Sequence, residues 1–259
     1  MPILRAEQLV KTFASAAGNH PGSAHPGSGP RAAAAEDSRV TAVRGVDLVV
    51  EQGEFVAVTG PSGCGKSTLL HLLGGITRPT SGRVLLEGVD IAGLDDDALA
   101  AIRRRRIGFV FQRYNLLPEL TLVENVALPL VLDGMGDAAS DAAAREALAA
   151  VGMDHRAGHR PDELSGGEQQ RGAIARALIA TPAIVLADEP TGALDSVNSQ
   201  RVMDLLARLV RDRGQTVVLV THDLSVAAAA RRTIRMRDGV VQSDSANDDS
   251  RPAAHAIHS

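Results

Sequence analysis

The sequence predicts an α/β domain built on a mostly parallel β-sheet with helices packed on its faces. Four apolar runs, FVAVTG, IGFVFQ, AIVLADEP and TVVLVTHD, alternate with longer helical stretches such as STLLHLLGGI and QRVMDLLARLVRDR. Because these runs are continuously apolar, they indicate strands buried on both faces, as in parallel sheets. The chain has 259 residues, 44% of them hydrophobic, which is enough for one large domain with a substantial core.

Polar residues stand where each of the four predicted strands ends. They are Gly60 with its glycine-rich turn, Gln112, Asp188 with Glu189, and His222. In sheets of this kind, ligands bind outside the carboxyl ends of the strands. The positions therefore predict that these residues belong to one site.

The composition argues against several classes of protein. The net charge is −4 and aromatic residues make up 2% of the chain, with no Trp and one Tyr, so nucleic acid is not an expected ligand. The single cysteine, Cys64, cannot form an internal disulfide and no stretch resembles a signal peptide, so a reducing cytosol is expected. No apolar run approaches the roughly 18 residues that span a bilayer. A membrane role would therefore depend on a partner.

Three segments interrupt the alternation of strands and helices. Residues 14–38, rich in Ala, Gly, Pro and Ser, are predicted to form a flexible insertion loop between two early strands, because this composition buries little apolar surface. The region from about residue 116 to 181 is mainly helical, which predicts a helical subdomain inserted into a domain of residues 1–242. The polar residues 243–259 are predicted to be a disordered tail.

A phosphate-binding loop is indicated by GPSGCGKST, which fits G-x-x-x-x-G-K-[ST] and lies between an apolar strand and a helix. In such a loop, backbone N–H groups and the positive end of the helix hold a polyphosphate. Lys66 is expected to reach the β- and γ-phosphates and Ser67 to bind Mg²⁺. The chain keeps only two lysines against 25 arginines, and a compact charge suits this position better than a planar guanidinium. The predicted nucleotide-binding residues here are Gly60, Pro61, Ser62, Gly63, Cys64, Gly65, Lys66, Ser67 and Thr68.

Two adjacent acidic residues follow the apolar run AIVLA. Such a pair is more often part of a turn or a helix cap, but the phosphate-binding loop favours a catalytic interpretation. Asp188 is placed to hold Mg²⁺ directly or through water, as an acidic residue at a strand end does in P-loop nucleotidases. Glu189 could polarise the attacking water. The pair therefore predicts nucleotide hydrolysis.

A second glycine-rich turn, LSGGEQQR, begins at Leu164. Ser165, Gly166 and Gly167 precede the helical stretch GAIARALIA and offer hydroxyl and N–H groups at a helix N-terminus. A plain helix cap explains these residues equally well by themselves. If the turn instead binds phosphate, it would hold the face of a triphosphate that the first loop leaves open, and it would favour ATP over ADP.

From about Ile3 to Val241, the sequence resembles the nucleotide-binding subunits of ATP-binding-cassette (ABC) transporters. The matching motifs are GPSGCGKST as Walker A, FVFQ as the Q-loop, LSGGEQQR as the signature, IVLADEP as Walker B, GALD as the D-loop and VTHD as the switch segment. The resemblance implies a P-loop NTPase fold with an antiparallel β subdomain and an inserted helical subdomain. It also implies that two cassettes pair head to tail, with each signature turn closing on the γ-phosphate held by the other Walker A loop.

The resemblance also implies roles for single residues. Gln112 would sense and bind the metal near the place where a membrane partner docks. His222, otherwise an ordinary histidine at a strand end, would contact the γ-phosphate and the attacking water. Phe13 stands where the family usually has a tyrosine that stacks on adenine, and phenylalanine keeps the aromatic face. The implied set comprises Glu189, His222 and Gln112 for catalysis, Ser67, Gln112 and Asp188 for the metal, and Phe13, Glu168 and Asp195 beside the two glycine-rich turns for the nucleotide.

The expected function is an ATPase subunit that binds ATP and Mg²⁺, dimerises, and drives a separate membrane permease from the cytoplasmic face. QRYNLLPELTLVENVALPL and PDELSGGEQQR most resemble the subgroup of lipoprotein release, macrolide efflux and cell division. One alternative is a soluble ABC ATPase acting on DNA or ribosomes, which a single cassette without long heptad-rich insertions disfavours. Another is a module that binds ATP without hydrolysis, which the presence of Lys66, Asp188, Glu189 and His222 disfavours.

Overall fold

The computed structural model describes residues 2–14 and 39–247, and in these residues it has two β-sheets with helices packed around them. The strands are Pro2–Ala14 (β1), Arg39–Glu51 (β2), Phe55–Thr59 (β3), Ser81–Leu86 (β4), Val89–Asp90 (β5), Ile107–Phe111 (β6), Ile184–Asp188 (β7), Thr216–Thr221 (β8), Arg232–Arg237 (β9) and Val240–Ala246 (β10). The α-helices are Lys66–Leu73 (α1), Asp96–Arg106 (α2), Leu122–Leu132 (α3), Asp137–Ala150 (α4), Gly166–Leu178 (α5), Ser196–Arg213 (α6) and Leu224–Ala227 (α7). Short 3₁₀ helices cover Ile91–Gly93, Asp154–Arg156 and Pro161–Glu163. Among the residues described, no helix combines the length and apolarity needed to cross a bilayer.

The larger sheet has the strand order β10-β9-β3-β8-β7-β6, with β10 antiparallel at one edge and the other strands parallel. The four apolar runs form β3, β6, β7 and β8, so the predicted mostly parallel α/β fold is confirmed. In β3, Phe55 and Ala57 belong to one hydrophobic core, whereas Val56 and Val58 belong to a second. The sheet is therefore buried on both faces, which explains why its strands are continuously apolar.

The smaller sheet is antiparallel, with the order β2-β1-β4-β5, and forms the predicted β subdomain. Its buried side chains, such as Leu4 and Val50, share a core with α1 and with one face of the larger sheet. Strands β1 and β2 pair from Pro2 opposite Glu51 to Ala14 opposite Arg39. Ala14, predicted as the start of the insertion loop, is thus the last residue of β1, and residues 15–38 lie outside the described part of the chain.

Helices α3, α4 and α5 lie between β6 and β7 in the chain, in the region predicted to be a helical subdomain. Leu148 of α4 and Ile174 of α5 are fully buried in the core on the opposite face of the larger sheet. Asn125 of α3 is also fully buried, and its amide bonds the backbone of Leu117 through both Oδ1 and Nδ2. The packing therefore fixes the segment that leads from the end of β6 into α3.

The predicted start of the disordered tail at residue 243 is wrong, because β10 continues to Ala246. Asp244 accepts two hydrogen bonds of 2.6 Å from Arg232 of the neighbouring strand β9. Asn247 then donates to the carbonyl oxygen of Ala230 at 2.7 Å. β10 is an exposed edge strand, so its polar sequence reflects solvent contact along the sheet edge and not a lack of structure. The remaining residues, 248–259, lie outside the described chain.

Candidate nucleotide-binding site

The phosphate-binding loop joins β3 to α1 and has glycine at its two tightest points. Gly65 has a φ angle of 102°, and a Cβ at this position would lie 2.2 Å from the carbonyl oxygen of Ala42. Gly60 has a φ angle of 152°, and a Cβ there would lie 2.2 Å from the carbonyl oxygen of Met236. A side chain fits at neither position, so the glycines of the motif are required by the neighbouring backbone.

Lys66 is the first residue of α1 and its side chain is held by the same loop. Its Nζ donates to the carbonyl oxygens of Gly60, at 2.8 Å, and Pro61, at 3.0 Å, and the residue is only 7% exposed. Carbonyl groups are weaker partners for an ammonium ion than phosphate oxygens are. Lys66 can therefore exchange these bonds for a phosphate without leaving the loop.

A cavity of about 380 Å³ opens on this loop, a volume in the range of small-molecule sites, about 300–1,000 Å³. Gln112 after β6, Glu189 after β7 and His222 after β8 line it together with the loop that follows β3. Residues that follow the four strands β3, β6, β7 and β8 therefore line one cavity, as the sequence predicted. The lining residues are Ala42, Ser62, Gly63, Gly65, Lys66, Ser67, Thr68, Gln112, Glu189 and His222.

Asp188 at the end of β7 contacts two side chains of α1. Ser67 Oγ donates to Asp188 Oδ1 at 2.9 Å, and His71 Nε2 lies 3.6 Å from Asp188 Oδ2. No motif of the sequence identified His71, although its position four residues after Ser67 places both on one helix face. A hydroxyl and a carboxylate in contact are oxygen ligands of the kind that Mg²⁺ prefers. The pair of Ser67 and Asp188 therefore fits a magnesium ion.

Glu189 is fixed against His222. Its Oε1 lies 2.8 Å from His222 Nδ1 and accepts the backbone N–H of His222 at 3.1 Å. The φ angle of Glu189 is 46°, in the left-handed region that residues other than glycine seldom adopt. The Glu189 side chain is 17% exposed, whereas that of His222 is 67% exposed. The backbone and the two hydrogen bonds thus hold a shielded carboxylate at the cavity wall.

The loop after Gln112 is tied to the helix that carries the second glycine-rich turn. Tyr114 and Asn115 have positive φ angles of 57° and 52°. Their carbonyl oxygens accept hydrogen bonds of 2.9 and 2.6 Å from Arg176 of α5. Burial lowers the pKa of Arg176. A movement of α5 would therefore pull on the backbone next to Gln112.

The second glycine-rich turn caps α5. Ser165 and Glu168 form a capping box, in which Glu168 Oε2 accepts from the backbone N–H and from Oγ of Ser165 at 2.8 and 2.7 Å. These two bonds hold the pKa of the Glu168 carboxyl below its usual range, and the nearby Arg156 lowers it further. The helix-cap interpretation of the turn is therefore correct, and it leaves a further phosphate-binding role open.

The same turn packs against the start of α6. A Cβ on Gly167 would lie 2.5 Å from Asn198 Oδ1, and Asn198 Nδ2 donates to Asp195 Oδ2 at 2.7 Å. Asn198, which the sequence analysis also missed, thus connects the signature turn to the D-loop. A polar residue one turn into a helix has no pattern of its own that would have identified it.

Within the described residues of one chain, the two glycine-rich turns do not share a cavity. Ser165, Gly166, Gly167, Glu168 and Asp195 are absent from the lining of the site at the Walker A loop. Phe13 is absent from it as well; its ring is 43% exposed and has Lys11 Nζ 5.1 Å from its centre. One chain therefore places six of the fifteen predicted nucleotide-binding residues in the lining of this cavity.

The loop between β3 and α1, coupled to a strand-end carboxylate through Ser67 and Asp188, defines the class of P-loop nucleotidases. The helical subdomain with its own glycine-rich turn narrows this class to ABC ATPases. The chain belongs to the ABC transporter family, whose model matches residues 43–192.

Curated relatives agree with this assignment. The chain is 51% identical over 208 residues to the lipoprotein-releasing system ATP-binding protein LolD of Geobacter metallireducens, covering 80% of this chain and 92% of LolD. It is 50% identical over 211 residues to the macrolide export ATP-binding/permease protein MacB of Hyphomonas neptunium, covering 82% of this chain and 33% of MacB. The chain thus spans nearly all of LolD and about a third of MacB.

Solved structures agree as well. The dimeric structure of the bacterial ABC transporter cassette MJ0796 superposes with a TM-score of 0.81, and the post-hydrolysis dimer of MJ0796 bound to ADP and Pi with a TM-score of 0.80. Both are 40% identical and cover 95% of this chain and 99% of theirs. The protein is therefore the ATP-binding, ATP-hydrolysing subunit of an ABC transporter, as the sequence predicted, and the alternative functions are not supported.

Proposed function

We propose that the protein works as a homodimer with Mg²⁺ and drives a separate membrane permease, comparable to the permease part of the ATP-binding/permease protein MacB. The observation that carries the proposal is that the signature turn caps α5 away from the cavity of its own Walker A loop. A second copy, turned head to tail, would supply the missing wall, and the dimeric structure of MJ0796 supports the pairing of two copies.

In this proposal Lys66 binds the β- and γ-phosphates, Ser67 and Asp188 hold Mg²⁺ with Gln112, and Phe13 stacks on adenine. Mg²⁺ would neutralise phosphate charge. Glu189 accepts the proton of the attacking water, since its carboxylate lines the cavity and His222 fixes its orientation. His222, being more exposed, can reach the γ-phosphate. Ser165, Gly166, Gly167, Glu168 and Asp195 act on the nucleotide of the partner copy.

Complementation between two inactive variants tests this composite site. Lys66→Ala destroys the Walker A loop, and Ser165→Arg blocks the signature turn, so each variant alone is expected to lose ATPase activity. In a mixed dimer, one site combines an intact loop from one chain with an intact signature from the other. Recovery of activity on mixing supports the proposal, whereas a Ser165→Arg protein that folds and hydrolyses ATP at the normal rate contradicts it. Thermal unfolding of both variants shows that each is folded.

Docking of a permease is supported by apolar side chains that the helical subdomain leaves exposed. Leu117, which follows the Q-loop, is 43% exposed. Val131 and Leu132 at the end of α3 are 41% and 62% exposed, and Met135, which follows that helix, is 41% exposed. Val131, Leu132 and Met135 lie within five residues of one another, and neighbouring exposed large apolar residues mark interaction surfaces. The protein would then be held at the inner face of the membrane by its permease.

This surface is testable with one substitution. Leu132→Asp is expected to abolish co-purification with the co-expressed permease while leaving the ATPase activity of the isolated subunit unchanged. Val89→Asp, at another exposed apolar position, 45% exposed in β5, is a control for the added charge. Retention of the permease by the Leu132 variant would refute this docking surface without affecting the assignment of the ATPase site.

A further inference from the structure

A second cavity, of about 320 Å³, lies between α5, α6 and the turn after α4. It shares no lining residue with the nucleotide cavity. Arg171 of α5 and Arg201 and Arg208 of α6 line it, against a single carboxylate, that of Asp204. Positions 201, 204 and 208 are three or four residues apart, so they lie on one face of α6. The cavity is therefore a basic pocket built by two helices.

Within the residues that the structure describes, none of the three guanidinium groups of this pocket forms an ion pair with a carboxylate. Arg201 and Arg208 have no ion pair or hydrogen bond there, and Arg171 contacts only Met153 Sδ, a weak acceptor, at 3.3 Å. Asp204 accepts from Gln200 at 2.8 Å instead of from an arginine. Longer-range attraction reaches Arg171 from Glu168, Arg201 from Asp195 and Arg208 from Asp212.

Several arginines elsewhere on the surface have carboxylate partners. Arg105 bonds Asp133 at 2.8 Å, and Arg145 bonds Asp141 at 2.7 Å. Arg113 and Arg213 have no side-chain hydrogen bond or ion pair among the described residues either, so the pocket is distinguished by having three such arginines in the lining of one cavity.

The pocket also places like charges near one another. Burial lowers the pKa of Arg171, and the nearby carboxylate of Glu168 raises it. The positive charge of Arg201 also lowers the pKa of Arg171, which shows that these two arginines repel each other. With three arginines and one aspartate, the lining carries a net charge of 3 − 1 = +2. An anion in the pocket would relieve the repulsion between Arg171 and Arg201.

We propose that Arg171, Arg201 and Arg208 bind a compact phosphate-bearing solute in this pocket. A guanidinium presents its N–H groups in a planar fork that matches two phosphate oxygens, which favours arginine over lysine for this task. A phosphate monoester carries a charge of about −1.5 to −2 at pH 7, close to that of the lining with opposite sign. The proposal concerns binding alone and holds whether or not the ATPase roles proposed above are correct.

Thermal unfolding of the full chain in saturating Mg-ADP tests the proposal with inorganic phosphate as the probe. Phosphate at about ten times its dissociation constant is expected to raise the melting temperature by about 3 °C over KCl of equal ionic strength. In Arg201→Gln/Arg208→Gln this rise should vanish, whereas Arg145→Gln/Arg213→Gln, with the same charge change outside the pocket, should keep it. If phosphate acted through salt exclusion, or bound beside ADP in the nucleotide cavity, the rise in melting temperature would be equal in the two double variants.

Two further variants make the test specific. Asp204→Asn removes the one carboxylate of the lining. It is expected to lower, by up to about tenfold, the phosphate concentration that gives half of the rise in melting temperature. Asp97→Asn, with the same charge change at an exposed aspartate of α2 outside the pocket, should leave that concentration unaltered. An equal response to phosphate in both double variants, or an unchanged midpoint in Asp204→Asn, overturns the proposal.

Discussion

His222 Nδ1 lies 2.8 Å from Glu189 Oε1, although the two residues are 33 positions apart in the chain. The same oxygen accepts the backbone N–H of His222, so the carboxylate is bound at two points of the segment after β8. Strands β7 and β8 are neighbours in the parallel sheet, with Asp188 opposite Val220, which brings their ends together. The orientation of Glu189 is therefore set by the sheet and by the segment that carries His222.

Glu189→Gln is expected to preserve ATP binding and to reduce turnover by about 100-fold or more, because an amide cannot accept the proton of the attacking water. An ATP-bound dimer should then accumulate. Steady-state ATPase assays and light scattering on a sizing column measure the two effects. Glu146→Gln, an exposed glutamate of α4, is the control. Normal turnover in the Glu189 variant would exclude Glu189 as the general base.

Lys66→Ala is expected to abolish ATP binding, since it removes the only side-chain charge of the Walker A loop. Lys66→Arg should also bind poorly, because a planar guanidinium does not fit between the carbonyl groups of Gly60 and Pro61 that now hold the ammonium. Equilibrium titration with a fluorescent ATP analogue measures both. Near-normal affinity of Lys66→Ala would refute the role of the Lys66 charge in ATP binding. Near-normal affinity of Lys66→Arg would show that a guanidinium does fit at this position.

Gly167→Ala is expected to destabilise the protein by about 1–3 kcal/mol, because the new methyl group would lie 2.5 Å from Asn198 Oδ1. Gly158→Ala, where a Cβ has no neighbour within 4 Å, should change stability much less. Urea unfolding measures the free energies. The double variant Gly167→Ala/Asn198→Ala should recover part of the loss, and strictly additive effects would show that the predicted collision does not occur.

The ion pair between Asp244 and Arg232 predicts a pH-dependent contribution to stability. The hydrogen bonds from Arg232 hold the pKa of Asp244 below its unfolded value of about 3.9. The stabilisation is therefore fully present above that value and is lost as the pH falls through the lower pKa of the folded state.

Asp244→Asn should accordingly lower the unfolding free energy at pH 7 by up to about 1 kcal/mol, as for a partly exposed pair. The difference from the wild type should narrow below about pH 4. Asp238→Asn, at an 82% exposed aspartate in the turn before β10, is the control. Urea unfolding across this pH range provides the measurement, and a difference that stayed constant with pH would contradict the ion-pair explanation.

Much of the site could be predicted because its residues lie within local motifs. The Walker A loop and the polar residues Gln112, Asp188 and His222 stand at the ends of apolar runs, and these runs can be recognised directly in the sequence. His71 and Asn198 were missed because their roles depend on contacts with residues distant in the chain, at Asp188 and at the signature turn. The polar strand β10 was misread as a tail because an edge strand exposes most of its side chains.

By itself the sequence determined the parallel α/β fold and the phosphate-binding loop, since these depend on hydrophobic periodicity and on glycines at fixed spacing. The family followed from the resemblance of six ordered motifs to those of ABC cassettes. Only the tertiary structure decided which groups meet. It places Glu189 on His222, ties Arg176 to the loop after Gln112, and separates the signature turn from the nucleotide cavity. The physical reason is that these contacts arise from strand order and helix packing, which bring together residues that no local pattern relates.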